Sequence, residues 1–122
     1  EFEDIITNTM KFVLKKARKF ELNSLKGWAY NSKEDFAKVS AAYLEVKGRH
    51  GKIKNIKSDR TYFVLGGKGE FIINNKVSTV EKNEVIIVPR NTPYDYKATK
   101  GILKLFLVDS PAFDPKTDVK LE

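Results

Sequence analysis

The chain has 122 residues, 41% of them hydrophobic and 32% charged, with no cysteine; that length suits one domain of the common ~100–150 residues. Disulfides and thiolate ligands are thereby excluded, no apolar run approaches the roughly 20 residues of a membrane span, and with no signal-peptide pattern a cytoplasmic location is expected. Of the net charge of +7, six units reside in residues 1–60, which hold 14 Lys/Arg against 8 Asp/Glu, but the lysines stand singly apart from Lys15–Lys16, so nucleic acid is not an expected partner.

In chain order, Glu1-Phe2 and Leu121-Glu122 look like restriction-site scars and are set aside. Residues 1–8 read as an N-terminal extension and 9–122 as one domain. From Thr9 to Leu22, the apolar residues Phe12, Val13, Leu14, Ala17 and Phe20 fit a short amphipathic helix as well as two edge strands. Asn23-Ser24 and Lys26-Gly27 mark turns before Trp28 and Tyr30. Ser32 and Asp35 suggest one capped helical turn over Asn31 to Ala37.

Strand signals then become regular. Val39 to Val46 ends at Gly48, and Gly51 opens a short basic run to Ile56. Thr61 to Leu65 is β-branched and aromatic and stops at Gly66-Gly67. Glu70 to Ile73 meets Asn74-Asn75, a pair that tolerates positive φ and suits a hairpin turn. Val77 to Val80, Glu84 to Val88 and Ile102 to Val108 follow, with Pro89 and Pro93 bracketing a loop. The tail from Ser110 to Lys120, with Pro111 and Pro115, is expected to run extended over the surface. Many short, evenly spaced strands predict an all-β sandwich or barrel.

From about Gly48 to Asp114 the chain resembles the cupins. Val64-Leu65-Gly66-Gly67 matches the V-L-x-G turn that closes the family's first motif. The second motif's spacing is kept by Asn83, Pro89, Asn91, Tyr94 and Ala98, with asparagine at both glycine positions and tyrosine at the metal-ligand histidine. Leu105 to Phe113 is similar to the end of small cupins. The resemblance implies an all-β, double-stranded β-helix (jelly-roll) barrel and a homodimer formed through the N-terminal strands.

The first motif departs from the family. Its glutamate position holds Arg60, and its histidine positions fall on Lys54 and Ile56, or on Ile53 and Asn55. Metals want imidazole, carboxylate or thiolate donors converging on one point, whereas a guanidinium cannot coordinate and repels a cation. The expectation is therefore no metal and no other cofactor. A cation held by His50, Asp59 and Asp95 is the atypical alternative.

If the family's alternation holds, Arg60, Tyr62 and Val64 point inward while Thr61, Phe63 and Leu65 point outward. Tyr94 and Tyr96 join them. Arg60, Tyr62, Tyr94 and Tyr96, with Lys54, then form an expected binding group for a polar or anionic small molecule of the sugar or carboxylate class. The bland alternative has Arg60 paired with Asp59 or Asp95 and the tyrosines filling space. His50, the only histidine, is the candidate base, with Tyr94 as its acid partner in a metal-independent isomerase or epimerase of sugar derivatives. Trp28, Tyr30, Phe36 and Tyr43 are expected in the core or a dimer contact, and Asp109, Asp114 and Asp118 in turns. Gly66-Gly67-Lys68-Gly69 lacks the pattern of a phosphate loop, and one histidine leaves no Ser-His-Asp triad to argue.

Overall fold

A computed structural model describes residues 10–122; the expected extension over residues 1–8 lies outside the described residues. Among the described residues, a 3₁₀ turn at Leu14–Lys16 leads into nine strands: β1 (Arg18–Leu22), β2 (Leu25–Ala29), β3 (Ser40–Val46), β4 (Ile53–Asn55), β5 (Asp59–Ile73), β6 (Lys76–Glu81), β7 (Val85–Val88), β8 (Tyr94–Ser110) and β9 (Asp118–Lys120). The ambiguous stretch before Leu22 thus resolves into a turn and an edge strand. Its Phe20 ring covers Gly27 so closely that a Cβ there would meet Phe20 Cζ at 2.2 Å.

Two long strands organise the rest. The first half of β5, Asp59 to Val64, pairs with Leu105 to Ser110 of β8, and its second half, Gly69 to Ile73, pairs with Tyr94 to Ala98. Between these halves the register slips at Gly66 and Lys68. One sheet therefore runs β1-β2-β3-β8-β5-β7 and the other β6-β5-β8-β4-β9, with β5 and β8 bending from one into the other. The bend needs Gly67: φ is +76°, and a Cβ would lie 2.2 Å from the Ile102 carbonyl oxygen. That conformation and that approach both demand glycine. What reads as separate strands on either side of Gly66-Gly67 is one bent strand.

The turns follow their residues. Asn74 and Asn75 take φ of 51° and 65°, the pair of positive angles a two-residue hairpin uses. Asn83 and Asn91, at the two glycine positions of the second motif, also have positive φ, 73° and 61°. Ser32 and Asp35 cap one another, through Ser32 N–H to Asp35 Oδ2 (2.9 Å) and Asp35 N–H to Ser32 Oγ (3.3 Å), within a turn that never continues into a helix.

Leu25, Leu44, Val46, Val64, Phe71, Val80, Val88, Leu103 and Leu105 fill the space between the sheets, together with three tyrosines. Trp28, Tyr43 and Tyr30 lie half-buried on the outer face: Trp28 packs on Tyr43 with centroids 5.4 Å apart, and Tyr30 meets Phe106 edge-on at 5.9 Å. Phe36 is exposed. None of the four joins the barrel core. Among the described residues no helix is long and apolar enough to cross a membrane.

Candidate functional site

Alternation along β5 turns Arg60, Tyr62 and Val64 inward, where all three are buried, and leaves Thr61, Phe63 and Leu65 on the other face. Tyr94 opens β8 after the Pro89–Pro93 loop, and Tyr96 lies two residues on, so both face the same interior. The ring of Tyr96 lies parallel to Phe71 at 4.7 Å, and Tyr62 tilts against both, at 5.3 and 5.0 Å. The centre of the barrel is consequently a packed aromatic cluster rather than an open cup, each of its tyrosines about 1% exposed.

A polar chain runs through this cluster. Arg60 Nη1 donates to the Tyr94 hydroxyl at 2.8 Å, and the Tyr62 and Tyr94 hydroxyls are 2.7 Å apart. Arg60 Nε donates to Asp109 Oδ1 (3.2 Å) and Nη2 pairs with Asp118 Oδ1 (2.9 Å). The Phe113 ring lies 5.6 Å from the guanidinium carbon, within cation–π range. Arg60's carboxylate partners are thus Asp109 and Asp118, not the expected Asp59 or Asp95. Asp59 instead pairs with Arg90, and Asp95 with Arg49. The reason is again alternation: Asp59, one residue before Arg60, points to the opposite face, while Asp109 is Arg60's cross-strand partner on β8.

His50 lies flat over Tyr96, with centroids 4.5 Å apart and an interplanar angle of 18°, and 6.1 Å from Tyr94. Its Nδ1 is 2.8 Å from the Gly51 carbonyl oxygen. A carbonyl can only accept, so neutral His50 carries its proton on Nδ1 and presents the lone pair of Nε2. Nε2 has no partner among the described residues. The loop is fixed by Asp95, whose Oδ1 accepts from Gly51 N–H (2.8 Å) while its Oδ2 pairs with Arg49. Arg49 also pairs with Glu122.

Burial, then the positive charge of Arg60, lower the His50 pKa and keep the ring neutral near pH 7. Burial pushes Tyr62 and Tyr96 well above the usual phenol value. Tyr94 is also raised by burial, but Arg60 and the hydrogen bonds from Tyr62 and Arg60 pull against it. Of the three phenols, Tyr94 is therefore the one whose anion is best supported. Asp109 is pushed up to about 6, by burial and against the pull of Arg60, and its buried Oδ2 has no hydrogen-bond partner among the described residues.

The structure brings together Arg60, Tyr62, Tyr94, Tyr96 and His50. It does not bring in Lys54, which lies between the buried Ile53 and Asn55 on β4 and so points to the opposite face of the strand. Asp109 and Asp118, expected in turns, are the two carboxylates of the site; Asp114 alone caps one, accepting from Lys116 N–H. The signal for Asp109 was the inward alternation of Leu103 and Leu105 carried on by two pairs of residues. No sequence pattern marked Asp118. The tail that carries it is more structured than expected: a 3₁₀ turn at Pro115–Thr117 leads into β9, which pairs with β4.

These side chains do not fit the metal that the fold usually holds. His50, Asp59 and Asp95 do not converge, and among the described residues no three His, Cys, Asp or Glu side chains form such a group. The buried carboxylate nearest the centre is already bound to a guanidinium. Two clefts lie at the surface. One, of about 240 Å³, is lined by Lys11, Phe12, Val13, Lys16 and Tyr30; the other, of about 160 Å³, borders Arg49 and Asp95 beside the His50 loop.

No family model matches the chain. An uncharacterized protein of Aquifex aeolicus (strain VF5) is 28% identical over 64 residues, which span about half of this chain (52%) and about half of that relative (53%). Among solved structures, Pac13, a unique nucleoside dehydratase, superposes with a TM-score of 0.83 at 21% identity, over 94% of this chain and 92% of that one. Streptomyces PAC13 is also known with uridine, in variants with a histidine or a tyrosine replaced. KdgF from Halomonas sp. gives 0.77 at 12% identity, over 89% and 99% of the two chains. Oxalate decarboxylase from Bacillus subtilis gives 0.82 at 13%, over 93% of this chain but 32% of that longer one. All three are cupin-fold proteins, and the chain has the cupin fold.

Proposed function

We propose that this cupin barrel is a metal-independent domain for a polar or anionic small molecule of the sugar or carboxylate class, bound at the His50 end of the Arg60–Tyr94–Tyr62 chain. One observation carries the reading. At the centre of the barrel a fixed cation is linked to two phenol hydroxyls, and beside them lies a histidine whose Nε2 has no partner among the described residues. Arginine offers forked donors to a carboxylate, and phenols offer hydroxyls and ring faces to a sugar. That Streptomyces PAC13, of the same fold, is known with uridine, a ribose bearing a base, supports the same class.

A catalytic version is favoured by the tautomer of His50. With Nδ1–H committed to Gly51, Nε2 can take a proton from a carbon or hydroxyl of the ligand, and Tyr94 can return one from its supported phenol. That pair would serve isomerisation or epimerisation of a sugar derivative.

A thermal-shift panel of uridine, hexoses and uronates tests binding, and deuterium exchange from solvent into a keto-sugar nucleotide tests the chemistry. A bound member should raise Tm, and His50→Gln should cut exchange by 10²-fold or more while leaving binding intact. If no compound shifts Tm, the binding reading is lost; binding without exchange removes only the catalytic version.

A further inference from the structure

The centre of the site is covered by the segment that follows β8. Phe113 lies over Arg60, the Thr117 carbonyl accepts from Ile56 N–H (3.0 Å), and the Lys52 carbonyl accepts from Leu121 N–H (3.0 Å). Thr117 Oγ1 and Asp118 Oδ1 accept from Asn55 Nδ2 at 2.9 and 3.0 Å. Arg60 beneath this strap is only 4% exposed.

Arg60's three partners are unequal. Asp109 and Tyr94 both belong to β8, paired along its length with β5 and, in part, β3, and neither can leave without unpicking the barrel. Asp118 belongs to a three-residue strand that pairs with three-residue β4, and its side chain is 27% exposed against 2% for Asp109. It can leave. The guanidinium it leaves behind would hold an unsatisfied N–H in a buried setting, which is costly unless another acceptor arrives. The charges press the same way. One guanidinium serves two carboxylates, so Asp109 repels Asp118 and weakens its hold.

We propose that the Asp118 carboxylate occupies the position on Arg60 Nη2 that a carboxylate of the ligand takes, so that binding exchanges one carboxylate for another and lifts β9 from β4. The inference rests on the binding reading above and names the group it recognises. A carboxylate fits better than a more highly charged anion, because it leaves the charge around Arg60 and Asp109 as Asp118 had left it. The strap then acts as an internal competitor, setting a threshold that an uncharged sugar cannot pass by this route.

D-Glucuronate and D-glucose, which differ in the carboxylate, are the probes. Calorimetry on the wild type and Asp118→Asn should show glucuronate binding at least tenfold tighter in the variant and glucose unchanged. In the wild type, glucuronate should also speed amide hydrogen exchange at Ile56 and Leu121, a measurement that needs no substitution. Displacement is overturned if Asp118→Asn leaves glucuronate affinity unchanged or weaker, or if those two amides become more protected on binding. Should both sugars bind both proteins alike, the domain still binds sugars and only the exchange fails. Should neither sugar bind either protein, this inference falls, and the uridine arm of the panel decides whether the binding reading falls with it.

Discussion

Asp59 and Arg60 are neighbours in the chain, and each forms an aspartate–arginine pair, but the two pairs live in different solvents. Asp59 faces outward to Arg90, where the side chains are 47% and 53% exposed. Arg60 turns inward to Asp109, where they are 4% and 2% exposed. An exposed pair gains little, because water and salt already screen both charges. A buried pair has given up its hydration, so each partner depends on the other, and the loss of one strands a charge. The same two residue types thus decorate one face of β5 and hold the other together.

That contrast can be broken first at Arg60. Arg60→Ala leaves Asp109 and Asp118 facing each other without a counter-charge, and the expected loss is about 3–5 kcal/mol, read as a lower urea midpoint. A loss well under 1 kcal/mol would mean that water reaches the barrel centre and that the two pairs are alike after all.

A sharper test uses pH. Asp109 titrates near 6 in the folded chain against 3.8 as the ordinary value. Between those values the folded chain holds a proton that the unfolded chain has released, so stability falls as pH rises through the window and stays lower above it. The span corresponds to about 3 kcal/mol at most. Asp109→Asn removes this titration. Whatever constant offset it brings, the stability difference from wild type should move in the variant's favour between pH 4 and pH 7, and a difference that stays flat contradicts the raised pKa. His50, lowered by burial, works in the opposite sense, destabilising the fold as pH falls, but it is common to both proteins and cancels. The smallest effect belongs to the outer pair: Arg90→Ala should leave the melting temperature within reproducibility at moderate salt.

Much of this was legible in the residues. The inward set Arg60, Tyr62, Tyr94 and Tyr96 follows from alternation once the motif spacing is matched, and the asparagines at 74, 75, 83 and 91 announce their positive φ. What alternation cannot supply is register. Asp109 finds Arg60 because β5 and β8 pair in one particular alignment, set by slips at Gly66 and Lys68 that leave no periodic trace. Asp118 was hidden further, on a tail whose prolines read as plain extended chain. Lys54 shows the opposite failure: its family position promised the interior, and one step of alternation on β4 sent it to the other face.

The sharing of β5 and β8 between both sheets has a consequence for how the chain acquires its shape. Each sheet takes a different half of the same two strands, so completing either one joins residues far apart in the chain. Ser40 must find Asp109, and Asp59 must find Ser110, before the first of these layers is closed. Loop closure over such distances is slow and is rewarded only late. Folding on the millisecond-to-second scale is therefore expected.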